Sequence, residues 1–168
     1  MSILEAYKQQ KLLCLELVFL LFMILSLPSF EAPKNIFLVL FVTVAIFRQL
    51  KTPSLRSWVG WDWMFLIIIV SALLSTVFAG LSPGDEWKGF RVLLTFIGVG
   101  WLVSRAAYSD KELSWIFWIV IFSVIPPLLV GLLEFMIIHS KDSLELHSVG
   151  HVNHSAIYLT MIFAAALG

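Results

Sequence analysis

Uncharged apolar runs of membrane-crossing length constrain this chain most. Residues 63–81 contain no charged side chain, and neither do residues 113–133. A helix crosses the hydrocarbon core of a bilayer with roughly 20 mostly apolar residues, because it closes its backbone hydrogen bonds within itself. Composition agrees. Of the 168 residues, 60% are hydrophobic and 13% charged, whereas soluble domains carry about 25% charged residues. The expected fold class is all-α: a polytopic transmembrane helix bundle forming a single domain over residues 1–168.

Six candidate spans follow from the hydrophobic pattern: 12–30, 35–50, 63–81, 90–107, 113–138, and a sixth that starts near Ser155 and stops at Gly168. The sixth has about 14 residues, too few to cross. The chain is therefore expected to be the N-terminal fragment of a longer multi-span protein. Lys8 and Lys11 precede the first run, as in a signal peptide, but "LPSFEAP" offers no small-residue cleavage site, so an uncleaved span is expected. Cys14 is the single cysteine. It excludes an internal disulfide and a cysteine-based metal site, and it reads as a small buried hydrophobe. The formal net charge of zero gives no global signal for nucleic acid.

Orientation follows from the basic residues, which favour cytoplasmic segments. With the N-terminus inside, Lys8, Lys11, Arg48, Lys51, Arg56, Arg105 and Lys111 lie inside. Lys34, Lys88, Arg91 and Lys141 lie outside, completing the eleven. The loop 147–154 is then extracytoplasmic. The tryptophans fit these boundaries. Trp58, Trp61 and Trp63 flank the inner start of the third span, Trp87 the outer start of the fourth, and Trp101, Trp115 and Trp118 lie toward inner ends. They read as an interfacial belt, with the ring in apolar surroundings and the N–H near water or headgroups.

Within the spans, ionisable groups are few. Glu16 lies about one turn into the first run, near enough to the inner surface to reach water. Pro126 and Pro127 interrupt the fifth span, where a kink is expected. Glu134 sits at its outer end, among headgroups or facing an outer cavity. Gly98 and Gly100, with Ala106 and Ala107, make the fourth span small-faced and suggest close helix packing.

The outer polar segments carry the candidate site. "SPGDEWKGFR" begins with a turn, Ser82 to Asp85, and places Arg91 in the first turn of the following span. A cation there is opposed by the helix dipole unless an anion joins it. A guanidinium fork matches phosphate oxygens, so Arg91, with Lys88 as a weaker partner, reads either as a snorkelling cation or as a phosphate ligand. The second segment, "HSVGHVNHSA", spaces His147, His151 and His154 as H-x-x-x-H-x-x-H. On one helix that spacing suits a metal. Gly150 argues against a continuous helix, and no carboxylate or cysteine completes the set, so no metal site is expected. Asn153 or Ser155 instead caps the sixth span, whose free N–H groups favour an anion. Gly150, His151, Asn153 and His154 then join Arg91 and Lys88 as candidate substrate-binding residues, against the alternative of an ordinary capped helix with solvated histidines.

"GHVNHSAIYL" after "LELHSV" resembles the segment of bacterial O-antigen ligases and related polymerase-like proteins in which a short G-x-x-N loop leads into an Ala- and Leu-rich span. "DEWKGFRVLL" is similar to the acidic-to-basic approach to another span of that family. Many members have a Pro-Asn pair where this chain has Val152-Asn153. The resemblance implies a multi-pass protein of the bacterial inner membrane that takes part in lipopolysaccharide and surface-glycan biosynthesis. As a glycosyltransferase it would move a glycan from undecaprenyl diphosphate to a lipid A–core, glycan or protein acceptor on the periplasmic face. It implies no nucleotide sugar, cofactor or metal, and arginines that hold the diphosphate. Its partners would be the lipid-linked donor, the acceptor and membrane lipids, with no nucleic acid. The catalytic base of the family is a histidine in a large outer loop between later spans, so none of the four histidines here takes that role and the fragment alone is expected to be inactive. The alternative is a multi-span transporter or other membrane protein without glycosyl transfer, suggested by the two prolines, Glu16 and Glu134.

Overall fold

The computed structural model describes residues 3–28, 30–52, 57–80, 84–138 and 160, with side chains from Tyr7 onward. Among these residues there are five α-helices and no strand: α1 (Ile3–Ser26), α2 (Glu31–Lys51), α3 (Gly60–Ala79), α4 (Asp85–Ser104) and α5 (Asp110–Leu133), the last continued by a π-helical turn, Glu134–Ile138. The all-helical expectation holds.

Four segments are long and apolar enough to cross a membrane: Tyr7–Ser26, Glu31–Lys51, Gly60–Ala79 and Asp110–Ile137. The sixth expected span lies outside the described residues. The fourth differs for a physical reason. Helix α4 carries Asp85, Glu86, Lys88 and Arg91 in its first two turns. The uncharged remainder, 92–104, reaches only about 20 Å at 1.5 Å per residue.

Local chemistry accounts for the helix limits. Helix α1 begins well before the run expected at 12–30 and ends at Ser26, just before Pro28, whose missing N–H ends the helical ladder. Helix α2 outruns the expected 35–50 at both ends. Pro33 stands in its first turn, where no backbone N–H has a helical acceptor, and Arg48 and Lys51 stand in its last turn, where the dipole favours cations. Helix α5 opens on a capping box. The Ser109 hydroxyl accepts from the Glu112 N–H at 3.4 Å, and Glu112 Oε2 accepts from the Ser109 N–H at 2.7 Å.

The chain divides into two compact units. One holds residues 1–13 and 42–107, hence the start of α1, the end of α2, and α3 with α4. Here α4 runs antiparallel to α3, as contacts at both ends show. The Trp87 indole N–H donates to the Gly80 carbonyl at 3.0 Å near one end, and Trp101 meets Asp62 near the other. The second unit holds residues 14–41 and 108–168. Its buried side chains include Leu17, Leu20, Met23, Phe41 and Val124. Phe22 stacks on Phe37 with ring centroids 5.2 Å apart, so α2 turns back along α1.

Helix α5 remains α-helical through Pro126 and Pro127 to Leu133. Two successive prolines deprive the carbonyls of Phe122 and Ser123 of their N–H donors. Beyond Leu133 the helix widens into the π turn that begins at Glu134. Such turns change which side chains face a neighbour.

Much apolar surface faces outward. Along α3, Met64, Ile67, Val70, Leu74 and Phe78 are exposed, Phe78 to 86%. Contiguous patches on this scale are not sustained in water, and the bilayer is their solvent. Cys14 is exposed too, and the expectation of burial fails because its stretch of α1 turns outward.

The two glycines of α4 do not create close packing. A Cβ at Gly98 would meet nothing within 4 Å, and one at Gly100 would lie 3.7 Å from the Phe65 ring, an ordinary contact. Gly98→Ala should therefore be neutral or stabilising, by up to about 1 kcal/mol from helix propensity. Thermal unfolding in detergent reads this directly; a lowered midpoint would mean that Gly98 has a close neighbour.

Candidate functional site

The polar groups of the α3–α4 pair gather at its two ends and behave differently there. At one end, Asp62 is the third residue of α3 and is buried. Its Oδ2 accepts the Val59 N–H at 2.7 Å, which satisfies a donor just ahead of the helix. Val59 has no side-chain acceptor, so the reciprocal half of a capping box is absent. Asp62 Oδ1 accepts the Trp101 indole N–H at 2.6 Å, and Oδ2 also takes Arg105 Nη1. Arg105 Nη2 reaches the Ser57 carbonyl at 2.9 Å, and its guanidinium carbon lies 5.5 Å from the Trp101 ring centroid. The Asp62 and Arg105 side chains are both buried.

This cluster is a clamp in chemical terms. A carboxylate whose oxygens already accept three donors, one of them cationic, is a structural partner and not a group presented to a substrate. Asp62 lies at the positive end of the α3 dipole and Arg105 follows the negative end of α4, so each charge also complements its own helix. Sequence reasoning missed the cluster. It took Trp101 as an interfacial ring and Arg105 as one inner cation, and it passed over Asp62. The available signal was a lone acid at the third helix position, flanked by Trp61 and Trp63, with an arginine just beyond the next apolar run.

The opposite end holds the residues that the sequence singled out. Helix α4 starts at Asp85, so Arg91 is its seventh residue and not part of its first turn. The first turn instead carries Asp85 and Glu86, which suit the dipole. The dipole conflict expected at Arg91 therefore disappears, because that field fades beyond the first turn. The Arg91 side chain is exposed and meets no acceptor among the described residues; its own carbonyl accepts the Thr95 hydroxyl at 2.9 Å. Lys88 is exposed and pairs with Asp85 at 2.8 Å, one turn back. Lys88 and Arg91, three residues apart, are neighbours on the helix surface. Gly150, His151, Asn153 and His154 lie outside the described residues, as does the H-x-x-x-H-x-x-H segment. Among the described residues, no three His, Cys, Asp or Glu side chains group as metal ligands.

In the second unit, Glu16 is fully buried and its Oε1 accepts the Tyr108 hydroxyl at 3.1 Å. Tyr108 comes two residues before α5, so the contact sets Glu16 at the height of the α5 start, where Asp110 and Lys111 are exposed. The expected depth of about one turn fails, because α1 starts at Ile3 and its apolar span at Tyr7, which puts Glu16 near the middle of that span. The expected access to water fails with it, because the carboxyl is enclosed.

Comparison with protein-family models, with characterised proteins and with solved structures gives no match.

If the Asp62 clamp holds the α3–α4 pair, removing one partner strands a buried charge. Asp62→Asn or Arg105→Gln should each cost about 3–5 kcal/mol, and the double variant clearly less than their sum. Trp101→Phe, which removes one donor, should cost about 1–3 kcal/mol. Unfolding in mixed detergent micelles measures all four, and additive losses would rule out a coupled cluster.

Proposed function

We propose that this chain is part of a bacterial inner-membrane glycosyltransferase of the O-antigen ligase kind, with its N-terminus in the cytoplasm. It would pass a glycan from undecaprenyl diphosphate to a lipid A–core, glycan or protein acceptor at the periplasmic face. Arg91 would serve as a ligand of the diphosphate. The observation that carries the reading is Arg91 itself: an exposed guanidinium with no acceptor among the described residues, at the end of α4 away from the clamp. The resemblance of "DEWKGFRVLL" and "GHVNHSAIYL" to that family supports it.

The chemistry is coherent. When the glycosyl bond to the lipid diphosphate breaks, negative charge grows on the departing phosphate. A preorganised cation and N–H donors lower that barrier. A guanidinium offers parallel N–H groups to two phosphate oxygens and stays charged. Lys88 is held by Asp85 in an exposed pair worth about 0–1 kcal/mol, so a diphosphate can recruit it as the second cation. Gly150, His151, Asn153 and His154, which lie outside the described residues, are proposed as further substrate-binding residues on their sequence alone, because an Asn or Ser N-cap with free N–H groups behind it suits a phosphate. The proton of the acceptor goes to a histidine base that the family carries in a later outer loop.

A second reading is transport, and one observation favours it. Glu16 is a fully buried carboxyl with a tyrosine hydroxyl on it, and ionisable groups in spanning helices mark ion or proton pathways. Substrate or ion flux in proteoliposomes, lost in Glu16→Gln, would support transport over transfer.

Arg91→Ala in the full-length protein should reduce glycan transfer by about 10²–10³-fold, the usual loss of one charge-stabilising donor. Arg91→Lys should fall in between. The surface-glycan ladder on gels measures transfer, and immunoblotting of membranes checks that the protein is present. A normal ladder from Arg91→Ala would remove the diphosphate role.

A further inference from the structure

The α3–α4 pair presents two different surfaces at its Gly80 end. Three contacts, all within the first unit, fix how the helices lie side by side. The Trp87 indole N–H donates to the Gly80 carbonyl, a Cβ on Gly100 would lie 3.7 Å from the Phe65 ring, and the Trp101 indole N–H donates to Asp62. The three agree on one antiparallel register to within about one turn. Between them, Lys88 comes level with Val77 and Arg91 with Leu74, to the same precision. Arg91 therefore stands about 8 Å inside the end of α3 at Ala79, at 1.5 Å per residue.

At this shared level α3 exposes Leu73, Leu74, Val77 and Phe78, and its residues 63–79 carry no charge. That surface needs hydrocarbon as far as Phe78. On α4, Lys88 and Arg91 are exposed at the same level, with Asp85 and Glu86 nearer the helix start. The polar stretch ends by Thr95, whose hydroxyl turns back onto the Arg91 carbonyl. The uncharged part of α3 is about 26 Å long and that of α4 about 20 Å. A bilayer that fits α3 is too thick for α4, and a short apolar stretch draws the polar boundary down toward it by local thinning. Lys88 and Arg91, three residues apart, share one face of α4. Glu86, two residues from Lys88 and five from Arg91, is off that face, and Asp85 holds Lys88 only by an exposed pair at 2.8 Å.

We propose that Lys88 and Arg91 seat the phosphate of an anionic phospholipid headgroup below the level that headgroups take around α3. The bilayer then steps down along α4. The ammonium and the guanidinium donate to phosphate oxygens, and Asp85 yields Lys88 to the lipid. The seat rests on the reading of Arg91 as a phosphate ligand and names the source of the phosphate. It is a lipid that reaches the side chain within the membrane plane, not a free anion from water.

Two measurements on the full chain test it. The first compares depth. Val92 is exposed one turn from Lys88 on α4, and Leu74 is exposed at nearly the same level on α3. Val92→Cys and Leu74→Cys are each made with Cys14→Ser and placed in nanodiscs of phosphatidylglycerol and phosphatidylcholine. A neutral, water-soluble maleimide should label Val92→Cys roughly tenfold faster than Leu74→Cys, because the thiolate that reacts forms only in contact with water. Equal rates overturn the step, since cations that only snorkel leave Val92 in hydrocarbon. The second measures binding of phosphatidylglycerol, phosphatidylcholine and inorganic phosphate to delipidated protein in a neutral detergent. Phosphatidylglycerol should bind roughly tenfold more tightly than phosphatidylcholine. Lys88→Gln/Arg91→Gln should lose that preference, and Lys88→Arg, which keeps the charge, should retain it. Binding of inorganic phosphate with no preference between the lipids, or an unchanged preference in the double Gln variant, overturns the lipid seat. Failure of the glycan reading looks different: a normal surface-glycan ladder from Arg91→Ala removes the diphosphate role, while the lipid preference of the wild type still supports the seat.

Discussion

The buried contact between Asp62 and Arg105 is what the α3–α4 pair depends on. Two helices that share mostly apolar surface gain little from associating in lipid, because lipid tails are as apolar as leucine. A directional polar contact supplies what the hydrophobic effect does not. The Asp62 carboxylate receives a backbone N–H, an indole N–H and a guanidinium, so its burial leaves neither oxygen without a donor. Trp87 on Gly80 fastens the other end with one neutral hydrogen bond. The two contacts set α4 along α3, and the register they impose leaves Lys88 and Arg91 at the end away from the clamp.

The bilayer explains how the remaining polar groups are treated. Hydroxyls in the helices turn back onto their own backbone: Thr76 to the Ala72 carbonyl, Thr95 to Arg91, Ser104 to Trp101 and Ser123 to Val120, all at 2.8–2.9 Å. In hydrocarbon no water completes such groups, so the nearest carbonyl becomes the partner. Ser123 shows the consequence best. It sits one turn before Pro127, in the stretch where two carbonyls have lost their N–H donors, and it is buried. The π turn begins at Glu134, about two turns after Pro127, in the same helix.

Helix class was legible in the sequence because it depends on hydrophobic run length, which the bilayer thickness sets; the number of spans was not, since six were expected and four segments of membrane-crossing length stand among the described residues. Boundaries were less legible. Capping and dipole effects extended α2 to Glu31 and Lys51, and α5 keeps its helical pattern through Pro126 and Pro127 as far as Leu133. The Ser109–Glu112 box was readable as S-x-x-E but is short and common. The Asp62–Trp101–Arg105 cluster was not readable, because it joins residues about 40 positions apart whose meeting depends on the antiparallel register. Arg91 was found in the sequence for a reason that the structure removes. The dipole argument required it in the first turn, and the helix begins two turns earlier. What keeps it a candidate is its exposure.

The case for Arg91 then turns on why a cation would stand there at all. An arginine two turns into a helix has a desolvation cost unless its head reaches water or an anion, and its long stem allows it to reach toward the interface. The acids of the first turn do not account for it. Asp85 is occupied by Lys88, and Glu86 is five residues away along the helix, off the i,i+3 and i,i+4 positions that bring side chains together. Lysine would serve as well for snorkelling alone. Arginine becomes the better choice when the partner is planar or multidentate, as a phosphate is. With Lys88 one turn away in a weak exposed pair, the same helix surface offers two cations to one dianion, and the pairing with Asp85 is the lesser contact that such a ligand would displace.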